Sequence, residues 1–315
     1  MRKRVFVGVD VGGTKVAAGL VDVSGEILTQ VRVAMVSNSS AKRGLQSVLS
    51  AISHVIPQKA DAVAGIGICA PGPLDPNTGI ILNPPNVPCW RNYALAAAVQ
   101  KLHHVPVKVD NDANAAALAE TRWGAARDYR NVFYATIGTG IGTGIVFDGK
   151  IYHGRTGAAG EGGHVSIDHR GPMCACGKPG CIEVFASGTA VARRAQEEIN
   201  SGASSRMLEI AGGDPATITG TIVGKAMKLG DPLAKRIVTE ASEKIALWLS
   251  NIIDLLDPEV VVIGGGAAAL YAPMFSKVGE LISRYSVNPR ANEVPIVSAR
   301  YGADTGIAGG AALCS

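Results

Sequence analysis

Residues 5–9 form a short apolar run that ends at a charged, glycine-rich stretch, "DVGGTK" (residues 10–15), and a second apolar run, 16–21, follows at once. Short apolar runs bounded by turn residues read as buried strands. The pair therefore predicts a hairpin, with the "DVSGE" turn leading into a third strand over 27–33. In residues 44–56 the spacing changes: Leu45, Val48, Leu49, Ile52 and Ile56 recur at helical intervals and share one face. A buried strand is predicted over 62–68. "APGPLDPNTG" and "NPPNVPCW" read as loops, because proline removes a donor and fixes φ. A helix over 93–102, a strand over 105–109 and an alanine-rich helix opening at "DNDANAAALAE" complete the first half as β, β, β, α, β, α, β, α.

The opening then recurs. "VFVGVDVGGTKVAAGLVDVSG" from Val5 and "VFYATIGTGIGTGIVFDGK" from Val132 share a strand, a Gly/Thr-rich turn, a second strand and a closing turn, as two related domains would. The second half is otherwise more helical. Asp231-Pro232 supplies an N-cap and a first-turn proline. From there Leu233, Ile237, Ala241, Ile245, Trp248, Ile252 and Leu256 hold one apolar face until Asp257-Pro258 ends it. "EVVVIGGG" reads as a buried strand running into three glycines, followed by a helix over 270–283, a strand over 295–298 and a closing helix after "GADTG".

Composition narrows the class. With 315 residues and 47% hydrophobic content the chain can bury two domain-sized cores. The 39 glycines and 5% aromatics favour tight α/β turns over a base-stacking platform. A formal charge of +4, with no basic run beyond Arg2 to Arg4, gives nucleic-acid binding little support. Gly8 and Asp10 interrupt the apolar run that a signal peptide needs, and no window reaches the length of a membrane span, so a soluble cytoplasmic protein is expected. Of six cysteines, Cys69, Cys89 and Cys314 are scattered, so a disulfide framework is not expected. Cys174, Cys176 and Cys181 cluster.

Several segments carry chemistry. In "DVGGTK", Gly12 and Gly13 let backbone N–H groups turn toward an anion, Thr14 offers a hydroxyl, Lys15 a charge, and Asp10 can hold Mg2+ through its water shell. The Walker spacing is absent. "IGTGIGTG", with Gly138, Thr139 and Gly140, supplies a second cradle that would also serve as a plain hairpin, and Gly264, Gly265 and Gly266 could let backbone approach a nucleoside. "VDNDANAAA" puts Asn111 and Asp112 where a strand becomes a helix. Asp112 is either an ordinary N-cap or a carboxylate kept ionised by the helix dipole and able to take a proton from a hydroxyl. In "GAAGEGGH" and "CACGKPGCIE", the three cysteines and His164 can close around one tetrahedral Zn2+, leaving no position for an activated water. A redox reading competes, but CxxC is missing. Glu161 and Glu183 flank the ligands.

Taken together, "DVGGTK", "DNDANAAALAE", "IGTGIGTGIVFDGKIYHGRTGAAGEGGH" and "CACGKPGCIE" resemble the ROK family of sugar kinases, most closely its glucokinase members, over nearly the whole chain. The resemblance implies an α/β, actin-like ATPase (ribonuclease-H-like) fold of two α/β domains with an active-site cleft between them. The smaller domain would comprise 1–117 with the final helix, about 303–315, and the larger 118–302. The resemblance implies Asp112 as general base, Asn111, Glu161, His164 and Glu183 on the sugar's hydroxyls, and Gly72 and Asn86 nearby. Asp10, Gly12, Gly13, Thr14, Lys15, Gly138, Thr139, Gly140 and the glycines from Gly264 would face Mg-ATP. His164, Cys174, Cys176 and Cys181 would hold a structural zinc. It further implies a homodimer or tetramer, acting on a small sugar and ATP, with no nucleic-acid or membrane partner. Glucose is the expected acceptor, since fructokinase relatives usually replace one zinc cysteine by histidine. N-acetylmannosamine, mannose, allose or fructose are the alternative acceptors, and polyphosphate the alternative donor. Sugar-sensing regulators of the family carry a DNA-reading domain ahead of the first phosphate strand. Here that strand opens at Val5, so an enzyme is expected.

Overall fold

The computed structural model describes residues 4–56 and 63–315; Arg2, Lys3 and Ala62, which entered the expectations above, lie outside the described residues. The chain divides into two compact units, one of Met1–Tyr134, Gly144–Gly160 and Arg300–Ser315, the other of Ala135–Thr143 and Glu161–Ala299. Among the described residues no helix is long and apolar enough to cross a membrane.

In the first unit the hairpin forms as expected. Strand β1 (Val5–Val11) pairs antiparallel with β2 (Lys15–Asp22), which pairs with β3 (Ile27–Ala34). Beyond β1 lie β4 (Val63–Ala70) and β8 (Val107–Asn111), both parallel, giving the order β3-β2-β1-β4-β8. The register puts Asp10 beside Cys69 and Cys69 beside Asp110, so three polar side chains line up where the parallel strands end. Strand ends of this kind are where open α/β sheets bind ligands. Three two-residue strands, β5 (Leu74–Asp75), β6 (Ile80–Ile81) and β7 (Tyr93–Ala94), make a small antiparallel sheet.

Helices cover both faces of the main sheet. Helix α1 (Ala41–Val55), capped by the Ser40 hydroxyl, and α2 (Leu95–His103) bury Val48, Ile52, Leu95 and Val99 against Val7, Val9, Ile66 and Ile68. On the other face lie α3 (Asp112–Arg122) and the last helix of the chain, 305–314, whose Ala308 and Ala312 pack with Cys69, Ala115 and Ala119. That contact needs glycine. A Cβ on Gly8 would lie 1.8 Å from the Ile307 carbonyl oxygen, and one on Gly67 would lie 1.8 Å from that of Gly310, so helix backbone rests directly on strand backbone.

The second sheet repeats the plan. Strands β9 (Val132–Ile137), β10 (Ile141–Phe147), β11 (Lys150–Ile151), β12 (Val260–Gly264) and β13 (Ile296–Ser298) follow the order β11-β10-β9-β12-β13. Each sheet thus runs third, second, first, fourth, fifth in its own chain order, the structural counterpart of the repeated sequence opening. The α/β, actin-like (ribonuclease-H-like) class is the one found. The short α4 (Glu183–Ala186) follows the cysteine cluster. Helices α5 (Gly188–Asn200), α6 (Arg206–Ile210) and α7 (Gly220–Lys228) occupy a stretch that apolar periodicity left unassigned. Their signals were caps: Ser187, Ser205 and Thr219 each accept a backbone N–H from the first turn. Helix α8 (Pro232–Leu256) matches expectation, capped by Asp231 and ended by Asp257 in the left-handed region. The single helix expected over 270–283 is instead α9 (Ala268–Tyr271), one 3-10 turn around Pro273, and α10 (Phe275–Tyr285), because proline removes an N–H from the helical ladder. The chain closes with α11 (Thr305–Cys314).

The backbone contact of α11 is testable. Gly67→Ala should cost about 1–3 kcal/mol through overpacking, read as a lower urea midpoint with unchanged slope. A Gly67→Ala protein as stable as the wild type would contradict the contact.

Candidate functional site

In the first unit the site residues gather at the C-terminal ends of β1 and β8. Asp10 precedes a turn in which Gly12 N–H donates to the Lys15 carbonyl. Gly13 sits against the loop carrying Asn86, whose carbonyl oxygen would be 2.6 Å from a Cβ at that position. Gly72 lies beside Asn111, 3.7 Å from its Nδ2 by the same measure. The structure therefore brings Asp10, Gly12, Gly13, Gly72, Asn86, Asn111 and Asp112 into one region. Burial, then the charge of Asp112, push the Asp10 carboxyl up from 3.8 to about 6, with Lys15 and Arg32 opposing. A half-buried Asp10 under the charge of an exposed second acid fits a cation, the chemistry expected of a Mg2+-nucleotide site.

The cap differs from expectation. Asn111, not Asp112, is the N-cap: its side-chain oxygen accepts the Ala113 N–H at 2.9 Å, and Asp112 is the first residue of α3. Asp112 Oδ1 also accepts from Ala113 N–H, at 2.8 Å. The helix dipole still favours its charge there. A neighbour that sequence reasoning passed over is Asp110, 4% exposed. Its Oδ1 accepts the Asn111 N–H at 2.7 Å and the Asn114 side-chain N–H at 3.1 Å, and its Oδ2 accepts from His153 Nε2 at 2.7 Å. That hydrogen bond raises the His153 pKa, partly offset by burial. The pattern "DND" was the available signal; the histidine, far along the chain, had none.

In the second unit the Gly/Thr turn between β9 and β10 is tied from several sides. Gly138 N–H donates to the Gly140 carbonyl, Gly188 N–H donates to the Gly138 carbonyl, and Ala267 N–H donates to that of Ile137. A cavity of about 900 Å3 opens beside it, lined by Gly138, Thr139 and Gly266 together with Thr189, Gln196, Thr219, Gly220, Lys225 and Leu270. The capped N-termini of α5 and α7 line this cavity, so the positive ends of their helix dipoles suit an anion. Gly264 ends β12, and Gly265, at φ 90°, packs on the Ile137 backbone; neither lines the cavity. The lining from α5 and α7 escaped sequence reasoning along with those helices.

Glu161, His164 and Glu183 belong to the same unit. The turn Gly162–His164 is clamped: Gly162 N–H donates to Thr143 Oγ1 at 2.8 Å, and its carbonyl accepts from buried Trp248 Nε1 at 3.1 Å. Glu161, exposed, precedes that turn. Glu183 also ties into the turn: its Oε2 accepts the Ile141 N–H at 2.8 Å, and a Cβ on Gly140 would lie 2.3 Å from it. Glycine at 140 is what lets the carboxylate reach the turn.

The nitrogen of His164 and the thiols of Cys174, Cys176 and Cys181 all lie within 4.8 Å of one another. Cys174 Sγ is 3.6 Å from His164 Nδ1, and Cys176 Sγ is 3.6 Å from Cys181 Sγ, too long for a disulfide. Tetrahedral zinc bound at about 2.3 Å separates sulfurs by about 3.8 Å. Burial, followed by the neighbouring thiols, pushes Cys181 up to about 12. Soft donors at this spacing, crowded until a cation offsets their charge, fit zinc.

Residues 6–315 match the ROK family. A glucokinase of Thermotoga maritima is 34% identical over 316 residues, covering 99% of this chain and 98% of its own. A xylose repressor of Caldicellulosiruptor bescii is 30% identical, with 89% of this chain and 70% of that protein covered. Among solved structures, a ROK family glucokinase from Streptomyces griseus in complex with glucose and AMPPNP superposes with TM-score 0.82 at 32% identity, over 98% of both chains. The family match and the full-length similarity to a glucokinase together show that this chain belongs to the ROK family.

Proposed function

We propose that this protein is a sugar kinase that transfers the γ-phosphate of ATP to the 6-hydroxyl of glucose. The observation that carries the reading is Asp112, set at the first turn of α3 and electrostatically coupled to Asp10, which leads into the Gly/Thr turn. As the 6-hydroxyl oxygen attacks phosphorus, its proton passes to the Asp112 carboxylate. The new P–O bond forms in line with the breaking bond to the β-phosphate, and ADP leaves. Asp10 would hold Mg2+ through water, and the cation would offset the phosphate charge. Backbone N–H groups of the turns at 12–14 and 138–140, and of the α5 and α7 N-termini, would receive phosphate oxygens. Asn111, Glu161, His164 and Glu183 would orient the sugar, with Gly72 and Asn86 shaping its surroundings. Zinc on His164, Cys174, Cys176 and Cys181 would hold the loop that carries those groups and take no part in the chemistry. The glucokinase relatives, and the glucose and AMPPNP bound by the Streptomyces griseus structure, support this choice of acceptor and donor.

A repressor-type relative favours a second reading, a sugar-sensing regulator without turnover. A panel of glucose, N-acetylmannosamine, mannose, allose and fructose, each with ATP or polyphosphate and Mg2+, separates the two. ADP release with glucose among the best acceptors is expected; sugar binding with no turnover of any hexose would favour the regulator.

Asp112→Asn should lower kcat by about 100- to 10,000-fold while leaving the equilibrium affinity for glucose within about threefold. Near-normal kcat would remove Asp112 from the base role. Metal analysis should find about one zinc per chain, and its removal by a strong chelator should raise KM for glucose, with recovery on adding zinc back. A metal-free protein with unchanged KM would contradict the loop-holding role.

A further inference from the structure

Three carboxylates converge near the start of α3. After burial itself, the charges of Asp10, Asp112 and Asp110 all bear on the buried Cys69 thiol and push its pKa up. Asp110 is tightly held. It is 4% exposed, and both its oxygens are committed: Oδ1 to the Asn111 N–H and the Asn114 amide, Oδ2 to His153 Nε2. The Asn111 peptide it holds is the N-cap of α3, and the next residue is Asp112. His153 lies just past β11, on a segment whose backbone is itself fixed by Tyr152 N–H donating to the Ile145 carbonyl. The imidazole therefore reaches Asp110 from an ordered support, and Asp110 passes that constraint to the cap.

A buried carboxylate among like charges holds its orientation only when its lone pairs are met by donors. Removing the imidazole would leave the buried Oδ2 without its donor. Asp110 would then be free to turn, and turning disturbs the hydrogen bond that sets the Asn111 peptide. A small misplacement of a reacting group is costly in rate and cheap in binding.

We propose that His153, acting through Asp110, is a positioning residue for Asp112: it fixes the cap from which the carboxylate reaches the sugar hydroxyl, and touches neither substrate itself. The inference rests on the kinase reading above and goes beyond it, since neither the motifs nor the sugar-facing residues include His153. It predicts a split between catalysis and binding that a merely structural role would not produce.

The test compares wild type, His153→Ala, His153→Gln and Asp110→Asn, measuring kcat and KM with glucose and Mg-ATP, equilibrium glucose binding, and thermal unfolding. His153→Ala should lose about 10- to 100-fold in kcat with glucose affinity within about threefold. His153→Gln, whose amide N–H can still donate to Asp110 Oδ2, should recover most of that loss, and Asp110→Asn should resemble His153→Ala. Should His153→Ala not fold, an active His153→Gln beside a slow Asp110→Asn supports the inference, and equal activity of those two overturns it. It is also overturned if His153→Ala keeps kcat within about twofold of wild type, if His153→Gln is as slow as His153→Ala, or if glucose affinity falls as far as kcat. Absence of turnover in the wild type overturns the kinase reading and this inference with it; turnover that survives unchanged in His153→Ala overturns this inference alone.

Discussion

The half-buried Asp10 carboxyl, under the charge of the exposed Asp112, sets the terms for the first unit. The parallel register of β1, β4 and β8 leaves little choice: Asp10, Cys69 and Asp110 fall in one row, and α3 begins two residues past Asp110. Raising the Asp10 carboxyl from 3.8 to about 6 means the ionised form is disfavoured in the folded protein by about 3 kcal/mol. The sign follows from linkage. The folded state holds this proton more tightly than the unfolded one, so the stabilisation is full below about 3.8 and is lost as pH rises through about 6. At neutral pH the metal-free site is strained, and a cation beside both acids would relieve it. The rest of the unit supplies the rigidity that keeps the acids together, above all the backbone contact of α11 on β1 and β4 through Gly8, Gly67 and Gly310.

The second unit solves a different problem, holding flexible glycine-rich loops in one shape. The turn at 138–140 is tied by Gly188 and Ala267 from behind and by the Glu183 carboxylate on Ile141. Glu183 in turn lies two residues after Cys181 and within 3.8 Å of the Cys174 thiol. The cysteine cluster and the Gly/Thr turn are thus neighbours through one carboxylate. A metal in that cluster would stiffen the turn as well as the loop from Glu161 to Glu183, a consequence of geometry that the spacing of cysteines alone does not reveal.

Much of this was legible in the chain, for local reasons. The hairpin strands, the repeated opening and α8 declare themselves by periodicity and by caps such as Asp231. The Asp112 segment and the cysteine loop declare themselves by residue type at short range. What was illegible depends on tertiary placement. Helices α5 to α7 have short, partly exposed faces, and only their Ser and Thr caps mark them; the cavity they line was hidden with them. The break at Pro273 was written plainly but outweighed by the apolar spacing around it. Asn111 took the cap from Asp112 because its side chain reaches the same N–H while keeping extended backbone. His153 meets Asp110 across 43 residues of sequence, a pairing that no spacing rule anticipates.

The carboxyl titration of Asp10, followed by NMR on aspartate-labelled, metal-free protein, reaches the coupling most directly. The wild type should titrate at about 6. In Asp112→Asn the value should fall, since one raising charge is gone, yet stay above the ordinary 3.8 because burial, the larger cause, remains. An Asp10 that titrates near 3.8 in the wild type, or one whose value is unmoved by the substitution, would contradict the account.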